Sequence, residues 1–159
     1  MKTNSIRAVA LAGVVCAAGV FAIGGVATAS AAGTAAASKR ATVSLRSTRV
    51  GNILVTSSGF TLYEFTRDST NKDVCQKIRG CTEAWPPLLT SSRPAGASGV
   101  HSTLIGSIKI AGGQMQVTYA GHPLYTYVGD TSKGQTSYVG VNALGGRWYA
   151  LAANGALVK

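Results

Sequence analysis

Five carboxylates, two histidines, three cysteines and two methionines are all that this 159-residue chain offers to acid–base, thiol or metal chemistry. Two of the carboxylates, Asp68 and Asp130, end a repeated hexapeptide, Tyr63-Glu64-Phe65-Thr66-Arg67-Asp68 and Tyr125-Thr126-Tyr127-Val128-Gly129-Asp130. An Asp that recurs just beyond a strand ordinarily caps a turn by accepting backbone N–H groups. Two sharper readings are a cation ligand and an acceptor for a buried Tyr hydroxyl. A cation needs several converging oxygens, which so few acids supply poorly. His122 stands where the first repeat has Phe60, so the duplication does not preserve it, and His101 is the other histidine. His122, Met115 and the repeat aspartates outline an alternative, a metal- or redox-associated envelope protein. No Cys-x-His-x-Met spacing of a blue-copper site supports it. No metal ligand or cofactor is assigned. The chain has no Gly-x-Ser-x-Gly elbow, phosphate loop or His/Glu zinc motif. It therefore reads as non-enzymatic, with no catalytic residue.

Cys75 and Cys81 remain once the leader is set aside, and an even pair in an exported chain points to a disulfide. Closing that short loop would contribute roughly 2 kcal/mol by chain-entropy arithmetic. The spacing fits neither Cys-x-x-Cys nor Cys-x-x-Cys-His. Trp85, beside Pro86 and Pro87, either lids one end of a sheet or stands exposed as a platform for stacking sugar or peptide. Trp148 is the other candidate binding aromatic.

Residues 55–68 recur 62 positions later, at 117–130. Val55/Val117, Thr56/Thr118, Gly59/Gly121, Leu62/Leu124, Tyr63/Tyr125 and Asp68/Asp130 are identical, Phe65/Tyr127 are both aromatic, and Gly51/Gly113 extends the register. Composition alone would give roughly one identity in such a window, so one supersecondary unit is built twice. Short β-rich runs at 52–56, 60–66, 107–110, 114–119, 124–128, 147–152 and 156–158 are punctuated by glycine turns. Asn154-Gly155 is the strongest hairpin signal among them. Side chains alternate along a strand, which puts Tyr63 and Phe65 on one face and Leu62 on the other, and Tyr125, Tyr127 and Leu124 likewise. The expected fold is all-β: duplicated antiparallel hairpin units forming a pseudo-twofold sheet or small barrel.

Lys2 and Arg7, the apolar run from Ala8 to Ala27, and Ala27-Thr28-Ala29 and Ala29-Ser30-Ala31 make residues 1–31 an export signal cleaved after Ala29 or Ala31. An uncleaved anchor is the alternative, since the run nearly reaches the roughly 20 residues of a membrane span. Residues 32–49 read as an Ala-rich tether and 50–159 as the duplicated domain, with repeats at about 50–88 and 106–159. The mature chain keeps 13 basic side chains (15 less Lys2 and Arg7) against 5 acidic ones, a net +8. These are scattered, without the block of like charge that marks a nucleic-acid arm. Anionic envelope polymers or an envelope protein are the expected partners, with no nucleic acid and no transmembrane segment after cleavage. The expected location is extracellular or at the cell envelope.

Both hexapeptides, the Cys75/Cys81 pair followed by Trp85-Pro86-Pro87-Leu88, Gly121-His122-Pro123-Leu124-Tyr125 and Gly146-Arg147-Trp148-Tyr149 give the chain a specific likeness. From about Val50 onward it resembles the bacterial secreted repeats of unknown function, also called predicted lipoproteins with a Y-x-[FWY]-x-x-D motif. The resemblance implies an exported, duplicated, β-rich envelope protein and no established activity. Cys16 departs from a lipid-attachment context, because Val15 precedes it and further apolar residues follow.

Overall fold

The computed structural model describes residues 39–159. The expected export signal, Cys16 and the tether up to residue 38 lie outside the described residues. In the first repeat, β1 (Thr42–Thr48) and β2 (Gly51–Thr56) form a hairpin in which Leu45 faces Leu54. β3 (Tyr63–Phe65) follows, then a 3-10 turn at Cys75–Lys77 and a one-turn helix at Cys81–Ala84. β4 (Leu89–Thr90) and β5 (Ala95–Gly96) lead into the second repeat. There, β6 (Ile105–Lys109) and β7 (Met115–Tyr119) repeat the hairpin. β8 (His122–Pro123), β9 (Asn142–Ala143), β10 (Gly146–Leu151) and β11 (Leu157–Val158) complete the order.

Among the described residues the fold is all-β, as expected, with three sheets that do not close into a barrel. Their orders are β2-β1-β5, then β11-β10-β3 with β9 also on β10, and β4-β7-β6 with β8 also on β7. Every pairing is antiparallel except β1 with β5. Val43, Leu54, Leu62, Val117, Tyr119, Leu124 and Leu151 form one core, and an aromatic core lies on the other side of β3.

Four expectations need correction. Residues 42–48, assigned to the tether, are β1, and Val43 is fully buried. Their polar composition hides a strand that pairs on both edges. The run 124–128 is not a continuous strand: Tyr125 makes single bridges to Tyr63 and Pro87, and the prolines beside it have no N–H to extend a ladder. The run 60–66 shrinks to Tyr63–Phe65 plus a lone bridge at Thr61. Finally, Leu62 N–H donates to Leu54 O and Leu124 N–H to Val117 O, each at 3.0 Å. Val117 therefore occupies the place of Leu54, not of its sequence match Val55, because the first turn holds one more residue. The hairpin at Asn154-Gly155 forms, but only Gly155 takes positive φ (+83°), while Asn154 Oδ1 accepts the Ala156 N–H.

Candidate functional site

The two hexapeptides meet at the middle of the molecule. Tyr63 and Tyr125 exchange both backbone hydrogen bonds at 2.9 Å, so the two segments run antiparallel across an approximate twofold axis. Alternation then sends Leu62 and Leu124 into the aliphatic core and both tyrosines into the aromatic one. Each hydroxyl crosses to the other repeat's aspartate: Tyr63 Oη donates to Asp130 Oδ2 at 2.9 Å and Tyr125 Oη to Asp68 Oδ2 at 2.7 Å. The turns after the motifs are closed by backbone, Asp68 N–H to Phe65 O and Asp130 N–H to Tyr127 O. Of the two carboxylates, Asp68 also accepts a loop N–H, that of Val74, at 2.7 Å. Among the described residues, Asp130 Oδ1 is buried without a partner.

The rings obey the same symmetry. Phe65, Trp148, Trp85 and Tyr127 stack in a column with centroids 4.2, 3.7 and 4.5 Å apart and planes within 10°, 4° and 30°. Tyr63 meets Trp85 edge-on at 5.3 Å, and Tyr125 meets Trp148 at 5.4 Å. Such offset and edge-to-face pairs add about 0.5–1.5 kcal/mol each beyond burial. Strand pairing is also exchanged. Phe65 and Tyr63 of the first repeat pair with Trp148 and Ala150 of the second, while Tyr125 and Thr126 pair with Pro87 and Pro86 of the first. Trp85 and Trp148 are 1% and 0% exposed. The reading of Trp85 as an exposed stacking platform is thereby corrected: Trp148 and Tyr127 lie against its two faces, as Phe65 and Trp85 do for Trp148. The Cys75–Cys81 disulfide forms, Cα atoms 5.4 Å apart, and packs in the same core.

Burial sets the titration of these groups. It holds the Tyr63 and Tyr125 hydroxyls far above the usual phenol value, and the carboxylate each one faces adds to the shift. Burial also pushes Asp68 up to about 6, against the opposing pull of Val74 N–H and the Tyr125 hydroxyl. Asp130 is raised for the same reason, opposed by Tyr63.

Glu64 was not singled out by its sequence. It shares the core-facing side of Leu62 and is 2% exposed. A charge at such a position needs a partner, which was the available signal. That partner is His122, whose Nδ1 lies 3.3 Å from Glu64 Oε2, and the contact raises the imidazole above its ordinary value. Met115 stands at the far end of β7 from Tyr119, the residue that His122 pairs with. His122 and Met115 are thus not brought together as the metal- or redox-associated alternative requires. Among the described residues, no group of three or more His, Cys, Asp or Glu side chains is placed to hold a metal ion. No helix among them is long and apolar enough to cross a membrane.

The family model described as "Secreted repeat of unknown function" matches the chain twice, over residues 44–89 and 106–152, together more than half of it. No curated protein and no solved structure matches.

Proposed function

We propose, since the chain belongs to the family of secreted repeats of unknown function, that it is a non-enzymatic binding module of the cell envelope or its surroundings. Its ligand on this reading is an anionic envelope polymer. The observation that carries the reading is the reciprocal Tyr–Asp exchange. The tyrosine hydroxyl of each hexapeptide is satisfied across the repeat boundary, Tyr63 by Asp130 and Tyr125 by Asp68, and both tyrosine rings are buried. A motif engaged in this way fastens the two repeats to each other. The basic side chains are left to face outward, which suits attraction to a polyanion and makes it sensitive to salt.

The test pairs stability with binding. Tyr63→Phe and Tyr125→Phe should lower the unfolding midpoint, while the folded protein is still retained on immobilised cell-wall polyanion. Wild-type stability together with lost retention would make the hexapeptides a ligand site. If wild-type protein is not retained at all, the binding reading falls.

A further inference from the structure

Two open clefts are related by the duplication. One, of about 500 Å³, lies between the end of β1 with its turn and the loop that follows Asp130. Arg46 and Arg49 line it from the first repeat and Lys133 from the second. The other, of about 390 Å³, lies between the end of β6 with its turn and the loop that follows Asp68. Lys109 lines it from the second repeat, and Lys72 and Lys77 from the first. Residues 46–49 and 108–111 are repeat counterparts, as are the loops after the two aspartates, so each cleft is assembled across the repeat boundary.

All six cations are exposed. Among the described residues the one ion pair is His122 with Glu64, so no carboxylate neutralises these six at salt-bridge distance. Asp73 also lines the second cleft, which thus carries three cations and one carboxylate, both of whose oxygens accept from Gln76. The first cleft is firmly built. Gln135 Oε1 accepts the Thr131 and Ser132 N–H groups at 2.9 and 3.1 Å, and Gln135 O accepts Thr61 Oγ1 at 2.6 Å. Gly134, at φ +70°, lets the Arg46 stem lie against the loop: a Cβ there would meet Arg46 Nε at 2.5 Å. The Lys133 stem lies across Gly59 in the same way.

We infer that these two clefts are a paired site for a flexible linear polymer of phosphodiesters, an inference that rests on the binding reading above. Three exposed cations hold a single anion weakly and under strong screening. A chain that touches both clefts makes its second contact intramolecularly, which raises overall affinity without any new contact. Phosphate suits the arrangement because guanidinium groups grip its oxygens in pairs, while lysines serve as point charges. Single-stranded nucleic acid is disfavoured because its bases need aromatic platforms, and no residue lining either cleft is aromatic.

The decisive experiment measures binding of labelled poly(glycerol phosphate) to the exported protein at low and at physiological salt. Arg46→Glu with Lys133→Glu reverses one cleft, Lys72→Glu with Lys109→Glu the other, and Arg79→Glu with Arg93→Glu makes the same charge change elsewhere. Each cleft pair should weaken binding by about tenfold or more, and the four changes together should abolish it, as expected when two linked contacts are lost. The Arg79/Arg93 control should stay within about twofold. The Gln versions of the same pairs, with melting curves, guard against variants that fail to fold, and should weaken binding in the same order. Equal loss in the control pair, or no loss in either cleft pair, would overturn the inference while leaving the binding reading intact. An oligothymidylate of equal charge that binds as tightly would overturn the choice of polymer. Absence of any wild-type binding would remove the reading on which the inference rests.

Discussion

Tyr63 and Tyr125 are the residues on which the two halves depend, and they contribute in two separable ways. Their rings fill the aromatic core, and truncating a buried aromatic costs roughly 3–5 kcal/mol. Tyr63→Ala and Tyr125→Ala should each lose that much in chemical denaturation. Phenylalanine keeps the ring and strands a carboxylate, so Tyr125→Phe should cost about 1.5–3 kcal/mol, the range for a hydrogen bond to a charged group. The hydroxyls themselves should resist ionisation. A spectrophotometric alkaline titration should show Tyr63 and Tyr125 charging only as the protein unfolds, because burial beside a carboxylate disfavours the phenolate. A smooth titration of every tyrosine near pH 10 in the folded protein would contradict the buried pairs.

At the scale of elements, the column Phe65–Trp148–Trp85–Tyr127 takes one Trp from each repeat, and the two Trp rings stack at 3.7 Å. Residues in such contact do not act independently. Trp85→Ala and Trp148→Ala should therefore destabilise non-additively, the double variant losing less than the sum of the singles in a double-mutant cycle. Strict additivity would mean that the two halves of the column do not support each other. The loop that delivers Trp85 is closed by Cys75–Cys81, between the 3-10 turn and the one-turn helix. Selective reduction should cost roughly 2 kcal/mol by loop-entropy arithmetic, read as a fall in unfolding midpoint. Non-reducing peptide mapping should show the two peptides joined.

For the whole molecule, three perturbed groups push the pH dependence of stability in one direction. Asp68 holds its proton more tightly folded than unfolded, its value moving from 3.8 to about 6. Over that window the native state carries the extra proton, so stability falls as pH rises. Asp130 is raised too and acts with the same sign. His122 is raised above 6.5 by Glu64. Its pairing is fully present below 6.5 and is lost as pH climbs through the folded value. The melting temperature should thus rise on acidification from about pH 8 towards pH 4. Asp68→Asn should flatten the curve between about pH 4 and 6, and His122→Gln should flatten it above 6.5. A wild-type optimum in the alkaline range would refute this assignment.

Much of this architecture was legible from residue order alone, because it depends on local periodicity. Alternation put Leu62 and Tyr63 on opposite faces, and they enter different cores. The matched hexapeptides announced the duplication, and an even cysteine pair in an export context announced the disulfide. What local pattern cannot encode is which copy answers which. Tyr63 could face Asp68 or Asp130 with the same alternation and spacing. The antiparallel Tyr63–Tyr125 pairing, made between residues far apart in the chain, turns each hydroxyl toward the other repeat. The same long-range exchange buries Trp85 and Trp148, although Trp85, beside two prolines, reads in its own segment equally well as an exposed platform. It also sets Arg46 beside the Lys133 loop. Exposed charges leave no hydrophobic period by which a sequence could place them, so their convergence is decided only when the two repeats interlock.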